Sequence, residues 1–138
     1  TSWRPPLRAR GRFQPPRDRL DGMAEETVFG KIVSGEIPVK ILAETERVIA
    51  FPDVAPQAPV HLLVIPKTTE YANVAELAAG DPALLAEMVQ VASQLAAEHA
   101  DGDFRMIFNS GANAGQTVFH VHAHVLAGGL EERSLVGS

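Results

Sequence analysis

Three of the five histidines in this 138-residue chain stand at alternate positions, His120, His122 and His124, interleaved with Phe119, Val121, Ala123 and Val125. In a strand, alternate side chains share a face and recur every ~6.6 Å, so the imidazoles line one face and the apolar residues the other. In a helix the same histidines would be spread around the surface. Burying three neutral imidazoles would require partners for six ring nitrogens, so the row is improbable as core filler and is expected to face solvent. Two uses compete. Neutral imidazoles at i, i+2 are a common pair of metal ligands. Alternatively, one imidazole attacks as a nucleophile while its neighbours fix its tautomer and move protons.

The residues just before the row bear on that choice. Asn109-Ser110-Gly111-Ala112-Asn113-Ala114-Gly115-Gln116-Thr117 is a small-residue loop whose backbone N–H groups can approach an anion closely. Amides, a carboxamide and a hydroxyl beside imidazoles suit a phosphate oxyanion better than a dication. No carboxylate is expected near the row to complete a metal sphere. The chain has no cysteine, which excludes a disulfide scaffold, a thiolate zinc site, an iron–sulfur cluster and cysteine nucleophile chemistry.

The elements that must carry these groups can be read outward from them. Residues 1–22 contain Pro5, Pro6, Pro15 and Pro16 with little apolar periodicity and are expected to form a flexible arm. Met23 resembles a start, so the arm reads as an upstream extension and residues 23–138 as the folded domain. Six arginines against two acids give the arm +4, whereas residues 23–138, with six basic and fifteen acidic residues, stand at −9. A domain of that charge lacks the basic surface that grips a nucleic-acid backbone. No apolar run approaches the ~20 residues of a membrane span, and no signal-peptide core follows the arginines. A cytoplasmic protein is expected.

Within the domain, Val28, Phe29, Ile32 and Val33 fall at helical spacing up to Gly35 and Pro38. Residues 39–42 and 47–51 read as strands of a hairpin, residues 60–65 as a strand stopped by Pro66, and residues 104–109 and 118–126 as two more. Asp81-Pro82 opens the longest helix, with Leu84, Met88, Val91 and Leu95 as its core stripe and its end near His99. The expectation is an α+β fold: an antiparallel sheet of about five strands with one long and one short helix. Leu85, Ala92 and Ala96 widen the stripe beyond what one sheet face needs, and are expected to form a twofold seam between two copies.

The segment His120-Val121-His122-Ala123-His124-Val125-Leu126 resembles the alternating His/apolar signature of the histidine triad (HIT) superfamily of nucleotidyl hydrolases and transferases. Thr27 through Val33, Glu36-Ile37-Pro38, Phe51 through Pro59, His61 through Lys67 and Gly115-Gln116 are similar to its Hint branch, over about residues 26–129. The resemblance implies a HIT-like fold, a homodimer, and a metal-independent, cofactor-free hydrolase of purine nucleoside 5′-phosphoramidates. It implies His122 as the nucleophile, with its Nδ1–H held by the His120 carbonyl, and His124 and Thr117 at the phosphate and the departing amine. Gln116 and Gly115 would support the oxyanion, Asn109 would lie near the phosphate, and His61 would face the triad from its neighbouring strand. Asp53 would hold the ribose hydroxyls. Val28, Phe29, Ile32, Phe51, Val54 and Val118 would line the nucleotide site for an AMP- or GMP-like purine. The tail from Gly128 onward carries neither the Trp nor the prolines of some relatives, which bears on the leaving group.

Two further functions carry the same residues. A dinucleoside polyphosphate hydrolase would use the same triad with a second nucleotide as leaving group, and a non-catalytic scaffold would bind the purine nucleotide without turnover. His99, at the C-terminal end of the long helix, has an ordinary place beside the helix dipole and stays outside the site.

Overall fold

Thr27 begins the described part of the chain, residues 27–131 of a computed structural model. Its hydroxyl accepts from the Gly30 N–H at 3.0 Å and caps helix α1 (Val28–Ser34), which Gly35 ends in the left-handed conformation at φ 89°. Strand β1 (Ala43–Glu44) and β2 (Val48–Pro52) form the first hairpin. Thr45 closes it, its hydroxyl accepting from the Arg47 and Val48 N–H groups. After the proline-rich excursion, β3 (Val60–Pro66) returns antiparallel to β2. Helices α2 (Val74–Gly80) and α3 (Pro82–His99) follow, then β4 (Arg105–Ile107), a single 3-10 turn (Ala112–Ala114) and β5 (Ala123–Ala127). The five strands form one antiparallel sheet in the order β1-β2-β3-β5-β4.

Strand alternation divides the buried side chains between the two faces of this sheet. Val48 and Ala50 of β2, Leu62 and Val64 of β3, and Ala123 and Val125 of β5 meet the α3 stripe of Leu84, Met88, Val91, Ala92 and Leu95. Ile49, Phe51, Leu63 and Ile65 point the other way and pack with Phe29 and Ile32 of α1. Asp81 caps α3 by accepting from the Leu84 N–H, and Pro82 fills the first helical position, where a missing N–H costs nothing. Arg47, at the hairpin, lies 2.9 Å from Asp81 and 3.5 Å from Glu87, and so ties the hairpin to the start of α3.

Several boundaries differ from the sequence reading. Residues 39–42 are not a strand; the pairing starts at Ala43, opposite Ala50. Helix α2 is an addition to the expected long and short helices. Asn73 caps it by accepting from the Glu76 N–H while Glu76 accepts from the Ala72 N–H, a reciprocal cap with only Leu77 buried behind it. The strand expected over residues 104–109 narrows to three residues. The one expected over residues 118–126 joins the sheet only from Ala123, and Phe119 is exposed while Val121, Ala123 and Val125, the other apolar residues of the row, are buried. Ala92 and Ala96 are buried within the chain's own core, so they cannot form the expected seam between copies. The arm expected over residues 1–22 and its boundary at Met23 lie outside the described residues. Among the described residues, no helix is long and apolar enough to cross a membrane.

Candidate active site

The histidines lie on the α1 face of the sheet. β3 and β5 pair with His61 opposite Leu126 and Leu63 opposite His124, which leaves His61 and His124 diagonal neighbours on that face. His61 Nε2 is 3.0 Å from His124 Nδ1. His122 and His120 come from the extended segment before β5. That segment leaves the ladder because Val121 N–H donates to Tyr71 O instead of to a strand. His122 Nδ1–H donates to the His120 carbonyl at 2.9 Å, the bond that the resemblance implied. His120 Nε2–H donates to the Pro66 carbonyl at 2.7 Å. Phe29 of α1 packs its ring edge-on to His122, with centroids 4.8 Å apart.

The row is therefore not the solvent-facing surface expected from alternation. His61, His120, His122 and His124 are all buried, and even His122 is only 8% exposed. Burial is affordable for His61, His120 and His122 because the main chain supplies partners, which residue types alone cannot reveal. Two ring nitrogens, His120 Nδ1 and His124 Nε2, are buried without a hydrogen-bond partner among the described residues. Burial is the largest cause holding all four imidazoles below their ordinary pKa, since desolvation penalises the charged ring. His124 falls to about 4, pushed further by His122 and His61 and partly restored by Asp53. At neutral pH the row is a set of neutral donors and acceptors.

Around the row, the expected residues separate into groups. Phe29, Ile32 and Phe51 share one apolar cluster, and Val118 packs against it. Val28 is exposed and Val54 is 96% exposed, so neither belongs to that cluster. Asp53 approaches the histidines, with Oδ2 3.4 Å from His61 Nε2 and 3.9 Å from His124 Nδ1. Its Oδ1 accepts from the Ala55 N–H at 2.7 Å. Asn109 is half-buried; Gly115 and Thr117 are exposed on the loop, where Gly111 and Gly115 both take φ 97°.

Gln116 is buried, and its side chain is already spent. Oε1 accepts from the Gly111 N–H at 2.8 Å, and Nε2 donates to the Ala72 and Val118 carbonyls at 2.6 and 2.9 Å. A side chain with its acceptor and both amide hydrogens engaged braces the loop rather than an oxyanion, which corrects the expected role. Sequence reasoning also missed Gln57, whose backbone N–H donates to His61 Nδ1 at 2.9 Å, and the Pro66 carbonyl under His120. Both contributions are main-chain atoms, for which no residue type is a signal.

Residues 26–135 match the family described as scavenger mRNA decapping enzyme C-term binding. An uncharacterised HIT-like protein of Synechocystis is 47% identical over 110 residues, 77% of this chain and 93% of that protein. The purine nucleoside phosphoramidase of Escherichia coli K12 is 40% identical over 108 residues, 77% of this chain and 90% of that enzyme. The chain belongs to the histidine triad superfamily. Its fold agrees: a HIT family hydrolase from Clostridium thermocellum superposes with a TM-score of 0.71 at 44% identity, covering 78% of this chain and 94% of that one.

In this HIT protein a metal has to be weighed again, because the expected lack of a nearby carboxylate does not hold. Asp53, His61 and His124 each offer a ligand atom within 4.8 Å of the others. The hydrogen bonds nevertheless oppose an ion on that set. With Gln57 N–H donating to His61 Nδ1, the ring's proton sits on Nε2, the atom a metal would need unprotonated. Moving the proton to Nδ1 would set two N–H groups against each other.

Proposed function

We propose that this HIT hydrolase cleaves purine nucleoside 5′-phosphoramidates through a covalent nucleotidyl-histidine intermediate on His122. The observation that carries the reading is the commitment of His122 Nδ1–H to the His120 carbonyl, which leaves the neutral ring's lone pair on Nε2. Nε2 attacks the α-phosphorus, a P–N bond to the ring forms, and the P–N bond to the amine breaks. The departing amine takes a proton from His124. Water then attacks the same phosphorus, returns a proton to His124, cleaves the bond to His122 and releases the nucleoside monophosphate.

Phe29, Ile32, Phe51 and Val118 take the purine, and Asp53 accepts from the ribose 2′- and 3′-hydroxyls. The amides around Gly115 and the Thr117 hydroxyl receive the phosphate oxygens, with Asn109 beside them; Gln116 holds their loop in shape. Support for an amine leaving group comes from the phosphoramidase relative, and a cysteine-free chain is at home in a reducing cytoplasm. Strand β4 ends the sheet, and Phe104, Met106 and Phe108 around it pack against the core while staying partly exposed, so that edge is the surface proposed for a homodimer. Light scattering near twice the 14.8 kDa chain mass supports the dimer, and the chain mass alone refutes it.

Steady-state assays with an adenosine 5′-phosphoramidate and a diadenosine polyphosphate test the substrate. Preferred turnover of the phosphoramidate is expected, and preferred turnover of the polyphosphate would reassign it. Rapid quenching should trap the nucleotide on His122; binding without turnover would leave only a scaffold.

A further inference from the structure

Three of the four imidazoles have their tautomers set by the main chain: His120 by Pro66 O, His122 by His120 O, and His61 by the Gln57 N–H. His124 is the exception. Among the described residues, its Nδ1 hydrogen-bonds to another side chain, His61 Nε2 at 3.0 Å, and its Nε2 is buried with no partner. Two neutral imidazoles in contact must present one N–H and one lone pair. Because the Gln57 amide points at His61 Nδ1, the lone pair of His61 is there and its proton is on Nε2. That proton is directed at His124 Nδ1, so His124 must carry its own proton on Nε2.

We infer that His61 is a positioning residue, oriented by the main-chain amide of Gln57, whose Nε2–H fixes His124 as a proton donor into the site. The role given to the donated proton rests on the proposed function; the tautomer is a property of the free protein. Asp53 gives the arrangement its consequence. Without the His61 N–H, the Asp53 carboxylate, 3.9 Å away, is an acceptor for a proton on His124 Nδ1. His124 would then turn over to the Nδ1–H form and present a lone pair, in place of a proton, to the departing amine. The carboxylate also lies 3.4 Å from His61 Nε2, but the path to His124 at 3.0 Å is shorter.

Nitrogen-15 NMR of the imidazoles in the full, ligand-free chain tests this directly. In the native protein His61 and His124 should both be protonated on Nε2. His61→Asn keeps an acceptor within reach of the Gln57 amide but has no atom at Nε2. There His124 should move its proton to Nδ1, and kcat on an adenosine phosphoramidate should fall at least ~100-fold with KM little changed. His61→Gln returns an amide N–H to the Nε2 position, with Asp53 favouring the NH₂ end of the carboxamide. It should restore the Nε2–H form of His124 and recover much of the lost kcat. A native His124 protonated on Nδ1 overturns the inference, as does a His61→Asn chain in which the proton stays on Nε2. The native measurement needs no variant, so it decides even if His61→Asn does not fold. If the tautomers are as stated but no phosphoramidate is turned over, the proposed substrate fails while the tautomer assignment stands.

Discussion

The two faces of the sheet are built from the same strands and obey different rules. Toward α3, Val48, Ala50, Leu62, Val64, Ala123 and Val125 meet Leu84, Met88 and Val91, and each contact is apolar and without direction. Toward α1, the buried residues include His61, His122 and His124, whose hydrogen bonds each have a sense as well as a length. On the first face shape and volume decide the energy. On the second, reversing one proton changes what the site can do while the packing stays the same. On the proposed function, the first side contributes stability alone, whereas the second joins the chemistry to a smaller apolar cluster.

Substitutions on either side can break that division. The largest expected effect is His122→Ala, which removes the proposed nucleophile and should lower kcat on the order of 10³-fold or more. His122→Asn, which keeps an N–H for the His120 carbonyl, should lose as much activity with a smaller loss of Tm. Activity above about a tenth of native in either would mean direct attack by water. Met88→Ala does the reverse: a fully buried side chain is removed from the α3 face, at a cost of about 2–5 kcal/mol. Thermal melting should show Tm lower by roughly 4–8 °C per kcal/mol, with kcat of the folded fraction unchanged. A large kcat loss in that fraction would show the two faces to be coupled.

Acid probes the histidine face alone. His124 is held at about 4 when folded against 6.5 as its ordinary value. Below 6.5 the unfolded chain takes up protons that the folded ring refuses, so stability is complete above that pH and declines as pH falls toward 4. Tm against pH should show this slope, and replacing His124 by Asn should reduce it, leaving the part carried by His61, His120 and His122. A slope unchanged in the variant would place the titrating group elsewhere.

The smallest effects expected are nil. A chelator should leave activity unchanged, because the tautomer of His61 keeps a proton where a metal would bind; loss on chelation, restored by a stoichiometric ion, would reverse that reading. Deleting residues 1–22 should leave both Tm and kcat unchanged, since their proline- and arginine-rich sequence has no core-forming pattern. A fall in Tm of several degrees would show that they dock on the domain.

Periodicity determined much of this protein directly. The alternation of His with small apolar residues, the Asp81-Pro82 helix start and the Leu84–Met88–Val91–Leu95 stripe each state a local preference. Those preferences survive folding because the strand and helix periods put the same residues on the same face in any context. Helix α2 was not read from the sequence although Asn73 and Glu76 stand at capping distance, because with Leu77 as its one buried residue it has no apolar stripe. Other properties arose only in three dimensions. Asp53 reaches His61 and His124 through a turn that its own side chain stabilises, and Gln116 spends its amide on three separate stretches of backbone. The burial of the histidines, and the direction of every proton in their chain, depend on the Pro66 and His120 carbonyls and the Gln57 amide. Main-chain groups are the same at nearly every position, so a sequence says nothing of which of them will face a side chain. Only the tertiary path of the backbone decides that.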